Sequence, residues 1–155
     1  MHNAASVTLA KRYERIYKQL KELLDKPINR TSMMATITSL LHYKMPHFFW
    51  TGFYILDHGE LTVGPYQGPL ACLVLEKNKG VCWAGILREK TIIVPDVHVF
   101  PGHIACDRRS ASEIVVPLFN AHDKVWGVLD VDSKSLNAFS SVDAFWLETI
   151  AKLLV

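Results

Sequence analysis

At Phe48 the spacing of apolar residues changes from one every three or four positions to strict alternation. Such a chain has to lay the stripe of early helices on the apolar face of a later sheet. Val7, Leu9, Tyr13, Ile16, Tyr17, Leu20, Leu23 and Leu24 mark a helix over 6–25, with Pro27 just past its end. Met33, Met34, Ile37, Leu40 and Leu41 mark a second over 29–43, where Asn29 or Thr31 serves as cap. After the switch, FFWTGFYIL and ELTVGPYQG read as strands joined at Asp57-His58-Gly59. ACLVLEKN and TIIVPDV read as two more, with a short helix over 80–89 between them. Ile114–Phe119 and Lys124–Val131 form a hairpin, turning at 120–123. Ser140 to Asp143 resembles a capping box for a last helix, with apolar face Phe145, Leu147, Ile150, Leu153 and Leu154.

Hairpins dominate this order. The expectation is an α+β fold: a largely antiparallel sheet of about six strands. The N-terminal helix pair and the C-terminal helix gather on one side, and a short helix is inserted. At 155 residues the chain is the size of one domain, with helices over 1–45 and sheet, loops and last helix over 46–155. A net charge of +2 and the lack of any basic block speak against nucleic acid. No apolar run approaches the ~20 residues of a membrane span, and no secretory signal is visible at the N-terminus. The reading is cytoplasmic, with no membrane partner.

Three cysteines, Cys72, Cys82 and Cys106, with no CxxC pair, argue against a disulfide framework or a zinc ribbon. A mixed site built on His98, His103 and Cys106 matches no common zinc spacing, and no metal is expected. Each cysteine follows a glycine-led turn, at Gly68, Gly80 and Gly102, so the three thiols can collect at one rim of the sheet. Cys106 stands out. It sits in a polar loop beside His98, His103, Asp107, Arg108 and Arg109, which suits a reactive thiol better than a core one. Glu113 opens the strand that follows. Asp130 and Asp132, two apart on a strand, share a face. They serve either to bond turn backbone, or to hold a ligand ammonium or donate a proton. Alternation also puts Trp50 and Tyr54 on one face, and Phe49 and Phe53 on the other.

WTGFY, GPYQGPLAC, GVC, DVHVFPGHIACD, SEIVVPL and GVLDVDS, in this order and spacing, resemble the free methionine-R-sulfoxide reductases, which are single GAF domains. The likeness runs from Phe48 to the C-terminus. It implies Cys106 as nucleophile, Cys72 as resolving thiol and Cys82 as a cysteine able to exchange. It implies a pocket of Trp50, Tyr54, Glu113, Asp130 and Asp132. The implied activity is reduction of free L-methionine-R-sulfoxide through a sulfenic acid and a disulfide. The likeness implies no bound cofactor, and thioredoxin, fed by NADPH through thioredoxin reductase, as the external reductant. The family also implies a homodimer; read from the residues, the first helix either packs on the core or serves as a dimer interface. One departure lies beside Cys82, where Trp83-Ala84-Gly85 stands in place of the family's usual small residues. The alternative is a non-catalytic GAF module that binds a small ligand or senses redox state.

Overall fold

The computed structural model describes residues 3–103 and 106–155. Helices α1 (Ala4–Leu23) and α2 (Arg30–Lys44) come first. Strands β1 (Trp50–Asp57), β2 (Glu60–Gln67) and β3 (Val74–Leu75) follow. Then come α3 (Gly80–Arg88), β4 (Ile92–Val94), β5 (Ser112–Phe119), β6 (Val125–Ser133) and α4 (Ser141–Ala151). The six strands form one antiparallel sheet in the order β3-β2-β1-β6-β5-β4.

Helix starts obey their caps. Asn3 and Asn29 each accept an amide hydrogen bond at 2.8 Å, from Ser6 and Ser32. Ser140 and Asp143 close a reciprocal capping box on α4. The central strands β5 and β6 are buried along most of their length, because both sheet faces are covered. On one face Phe53, Ile114, Val116, Leu118, Leu129 and Val131 pack against α1, α2 and α4. On the other, Trp50, Tyr54, Val115 and Val128 pack beneath α3. Gly85 lets α3 lie this close: a Cβ there would stand 2.8 Å from Val115 Cγ1.

A buried polar knot ties the helical layer together. Tyr13 Oη donates to Asp143 Oδ1 at 2.6 Å, and the Ser140 amide donates to Oδ2 at 2.8 Å. Asp143 is fully buried. Burial pushes its carboxyl up, but bonds from His47, Tyr13 and the Ser140 amide outweigh that and leave it below the ordinary range.

Three expectations need adjusting. ACLVLEKN forms only the two-residue β3, since the chain before it leaves the sheet edge to carry Cys72 over the sheet face. TIIVPDV yields only Ile92–Val94, because Pro95 cannot donate to the ladder. Phe145 is 61% exposed instead of core-facing, and its neighbour Trp146 packs on Tyr13, ring centroids 6.4 Å apart.

Candidate active site

The α3 face of the sheet holds a cavity. Trp50 and Tyr54 of β1, Glu113 of β5, and Asp130 and Asp132 of β6 form its floor and one wall. Cys82 enters from the first turn of α3, and Cys106 and Asp107 from the loop before β5. The strand register explains the floor. Glu113 pairs directly with Asp132, and Asp130 stands two residues on along β6, on the same face. Like charges opposite one another in a sheet are unfavourable, so three acids gathered here are poorly explained by folding alone.

Cys72 reaches the same place by a covalent bond. It is bridged to Cys106, with Cα atoms 5.5 Å apart, inside the usual 4.4–6.8 Å for a disulfide. Tyr54 Oη donates to the Cys72 carbonyl at 2.9 Å, which ties the pocket wall to the segment bearing that cysteine. Cys82 is the free thiol, buried, with Sγ 4.0 Å from Glu113 Oε1. Thus seven of the eight candidate residues line one cavity, and the eighth is bonded to one of the seven. Trp83 is buried in the apolar layer under α3 and does not line the cavity.

The electrostatics follow from burial with too few donors. The Glu113 carboxyl is held well above the ordinary range, first by burial and then by the charges of Asp130 and Asp132. Asp132 is raised by burial, Asp130 and Asp107. Asp130 is raised less, to about 6, because burial is partly offset by contacts with Glu113 and Cys82. Burial and the neighbouring acids also push up Tyr54 and Cys82. Among the described residues, Asp130 Oδ1 and the Trp50 indole N–H are buried with no hydrogen-bond partner. The cavity therefore offers negative charge and unmet bonding capacity to a small cationic ligand.

The loop around Cys106 is pinned beside it. Arg109 donates from Nε and Nη2 to Asp107, at 3.0 and 2.7 Å, which lowers that carboxyl to about 2. The Arg109 guanidinium also lies 4.9 Å from the Phe49 ring centre. His98 bonds Asp96 instead of Cys106, at 2.8 Å, so the mixed His/Cys arrangement weighed from sequence does not assemble. Ile104 and Ala105, within the GHIACD motif, lie outside the described residues.

Sequence reasoning missed Tyr66. Its ring stacks on Trp50 with centroids 5.3 Å apart, and Trp50 stacks on Tyr54 at 5.8 Å. A regular hairpin from the Asp57–Glu60 pair would set Tyr66 opposite Thr51, on the other face. A bulge between Gly52 and Tyr54 shifts the register, pairing Tyr66 with Gly52 and turning it to the sheet face that carries Trp50 and Tyr54, behind the cavity wall. Gly52 is required there, since a Cβ would stand 2.3 Å from that of Tyr66. The signal was Gly64-Pro65 in the opposite strand, which marks irregular pairing.

Comparison with known proteins gives a consistent picture. A family model described as a GAF domain matches residues 30–155. The chain is 46% identical over 143 residues to GAF domain-containing protein A of Dictyostelium discoideum, covering 92% of this chain and 89% of that one. It is 36% identical over 148 residues to the free methionine-R-sulfoxide reductase of Saccharomyces cerevisiae, covering 91% and 82%. It superposes on the crystal structure of the Neisseria meningitidis free methionine-R-sulfoxide reductase in complex with its substrate, with a TM-score of 0.89 and 37% identity. That match covers 94% of this chain and 87% of the other.

Proposed function

We propose, for a chain that belongs to the GAF-domain free methionine-R-sulfoxide reductases, a catalytic cycle built on Cys106, Cys72 and the three buried acids. The enzyme is an L-methionine (R)-S-oxide reductase, and its substrate is the free amino acid. The Cys106 thiolate attacks the sulfoxide sulfur. The oxygen passes to the Cys106 sulfur, and methionine leaves with its sulfur reduced by two electrons and Cys106 oxidised by two, as a sulfenic acid. Glu113 or Asp132, whose carboxyls burial and the neighbouring acids hold well above the ordinary range, supplies the proton that the sulfoxide oxygen needs. Asp130 holds the α-ammonium. The Trp50 ring walls the methyl group. The Cys72 thiol then condenses with the sulfenic acid, releasing water and forming the disulfide, while Cys82 is held in reserve for exchange. A dithiol of the thioredoxin class takes over the bridge and returns both thiols. The role is repair of oxidised methionine in defence against oxidative stress, carried out by a homodimer in the cytoplasm.

The observation that carries this reading is the Cys72–Cys106 bridge at the mouth of a cavity floored by three acids. A bridge of that kind is the last intermediate of the cycle. The acids explain why a free amino acid is chosen, since a peptide-bound methionine has no α-ammonium to offer. A thioredoxin-coupled NADPH assay with free R-sulfoxide, free S-sulfoxide and N-acetylated R-sulfoxide tests it. Turnover is expected on the free R-sulfoxide alone. Equal rates on the free and acetylated R forms would sink the ammonium site. A non-catalytic module would bind ligand with no loss of thiols, whereas the reductase loses two per methionine released in the absence of reductant.

A further inference from the structure

Cys82 is the thiol that this cycle leaves idle. It sits in the first turn of α3, buried, while the other two cysteines are bridged. A substrate ammonium needs oxygen acceptors and gains nothing from a thiol. Yet the Cys82 sulfur faces the acids, not the apolar layer alone: it lies 4.0 Å from Glu113 Oε1. Asp130, only 5% exposed, brings to the same cavity an Oδ1 without a hydrogen-bond partner among the described residues. One ligand atom from each of Cys82, Glu113 and Asp130 falls within 4.8 Å of the others. Lys79, at the rim, is already paired with Glu76.

We propose that Cys82, Glu113 and Asp130 form a binding site for one divalent cation of the borderline-soft class to which zinc belongs. The donor set selects that class. A thiolate beside two carboxylates suits zinc or cobalt, whereas magnesium and calcium take oxygen alone. Zinc bonds sulfur at ~2.3 Å and carboxylate oxygen at ~2.0–2.2 Å, so tetrahedral ligand atoms stand roughly 3.3–3.8 Å apart. The three atoms must close in by about 1 Å, a movement within reach of side-chain rotation in Glu113 and Asp130. Their backbones come from β5, β6 and α3, which are packed elements. The fourth position opens to the cavity, for water or Asp132. On binding, the Cys82 proton and any proton held by the two carboxyls pass to the solvent, and the cation takes their place. Because Asp130 is assigned above to the substrate ammonium, a bound cation blocks turnover; that consequence, unlike the site itself, rests on the reductase reading.

The test exploits the bridge. With Cys72 and Cys106 joined, the chain's three cysteines leave one thiol, Cys82. Cobalt(II) titrated into the bridged protein without added thiol should raise a near-ultraviolet thiolate-to-cobalt band that saturates at one equivalent and is discharged by zinc. Cys82→Ser should lose the band, and Asp130→Asn should weaken cobalt binding at least tenfold. No band in the bridged wild-type protein overturns the proposal, whatever the variants do. A band that survives in Cys82→Ser overturns it equally. Turnover measured in chelator without a cobalt band removes the cation site and leaves the reductase standing; a cobalt band without turnover does the reverse.

Discussion

Asp130→Asn should cost activity and gain stability at once. Asp130 is the acid of the trio that gives up its proton first, since its carboxyl is lifted only to about 6 while Glu113 and Asp132 are lifted well above the ordinary range. In the proposed cycle the substitution removes the group that meets the substrate ammonium, whereas Glu113→Gln removes an acid whose carboxyl is held well above the ordinary range. Two unit charges about 4 Å apart attract by ~4 kcal/mol at an effective dielectric constant of 20. Truncating one member of a buried charged pair costs ~2–5 kcal/mol. Glu113, freed of its neighbour's charge, ionises more readily and returns part of this. A net ~2–4 kcal/mol is a loss in kcat/KM of about 30- to 900-fold. The assay is initial rate on free methionine-R-sulfoxide across pH 5–8. Wild-type kcat/KM should fall as pH drops through about 6, where Asp130 takes up its proton, and the variant should lack that limb. Stability runs the other way. A carboxyl raised from 3.8 to about 6 makes the folded state bind more protons than the unfolded one within that window, so stability falls as pH rises through it. Removing the charge should return up to ~3 kcal/mol and raise the melting temperature at pH 7.5 by several degrees. Retention of the acid limb in Asp130→Asn, or a lower melting temperature than wild type, would refute the reasoning.

Other outcomes follow from the same geometry. Cys106→Ser should abolish turnover, and multiple turnovers by that variant would remove it from the nucleophile's place. Cys72→Ser should release about one methionine per site and then stall with Cys106 as sulfenic acid, read as a burst with trapping by a dimedone probe; steady turnover with thioredoxin would show that Cys72 is not the resolving thiol. Tyr13→Phe removes the 2.6 Å donor to the fully buried Asp143 and should cost ~1–3 kcal/mol in urea unfolding at pH 7. Asp143 is depressed on folding, so its contribution is present above the ordinary pKa and lost as pH falls through the lower folded value. The Tyr13→Phe penalty should shrink accordingly in strong acid, and a penalty that stays the same down to the acid unfolding transition would exclude an ionised Asp143.

Most of the fold was legible because period and punctuation agreed. The helical stripes ended at Pro27 and at the 3.6-to-2 switch, Asn29 and Ser140 were recognisable caps, and alternation correctly separated Trp50 and Tyr54 from Phe53. What could not be read was set by distance in three dimensions. Strand order places β6 between β1 and β5, bringing Asp130 beside Trp50 and Glu113, and no local pattern encodes that neighbourhood. The position of α3 on the far face was likewise hidden, although Gly85 marks the contact once it is known. Cysteine spacing alone also leaves the pairing open. The family likeness named Cys72 and Cys106, and the bridge between them agrees with it.

Two buried aspartates on opposite faces of one sheet show why the site is recognisable physically. Asp143 lies in the helical layer with its oxygens met by Tyr13, Ser140 and His47, and its carboxyl is lowered despite burial. Asp130 lies on the α3 face with one oxygen unmet, two further acids beside it, and its carboxyl raised. Both carry the desolvation cost of a buried charge. In the first case the chain supplies the compensating donors, and the group holds α1 to α4. In the second the chain supplies more anions instead, so the compensation has to come from outside. A cation must fit between Asp130, Glu113 and Asp132 and still bring an oxidised sulfur to Cys106 at the cavity mouth. The ammonium of an amino acid, a few bonds from its side-chain sulfur, meets both demands. A bare divalent ion meets only the first, which makes it a ligand of the same pocket and not a substrate.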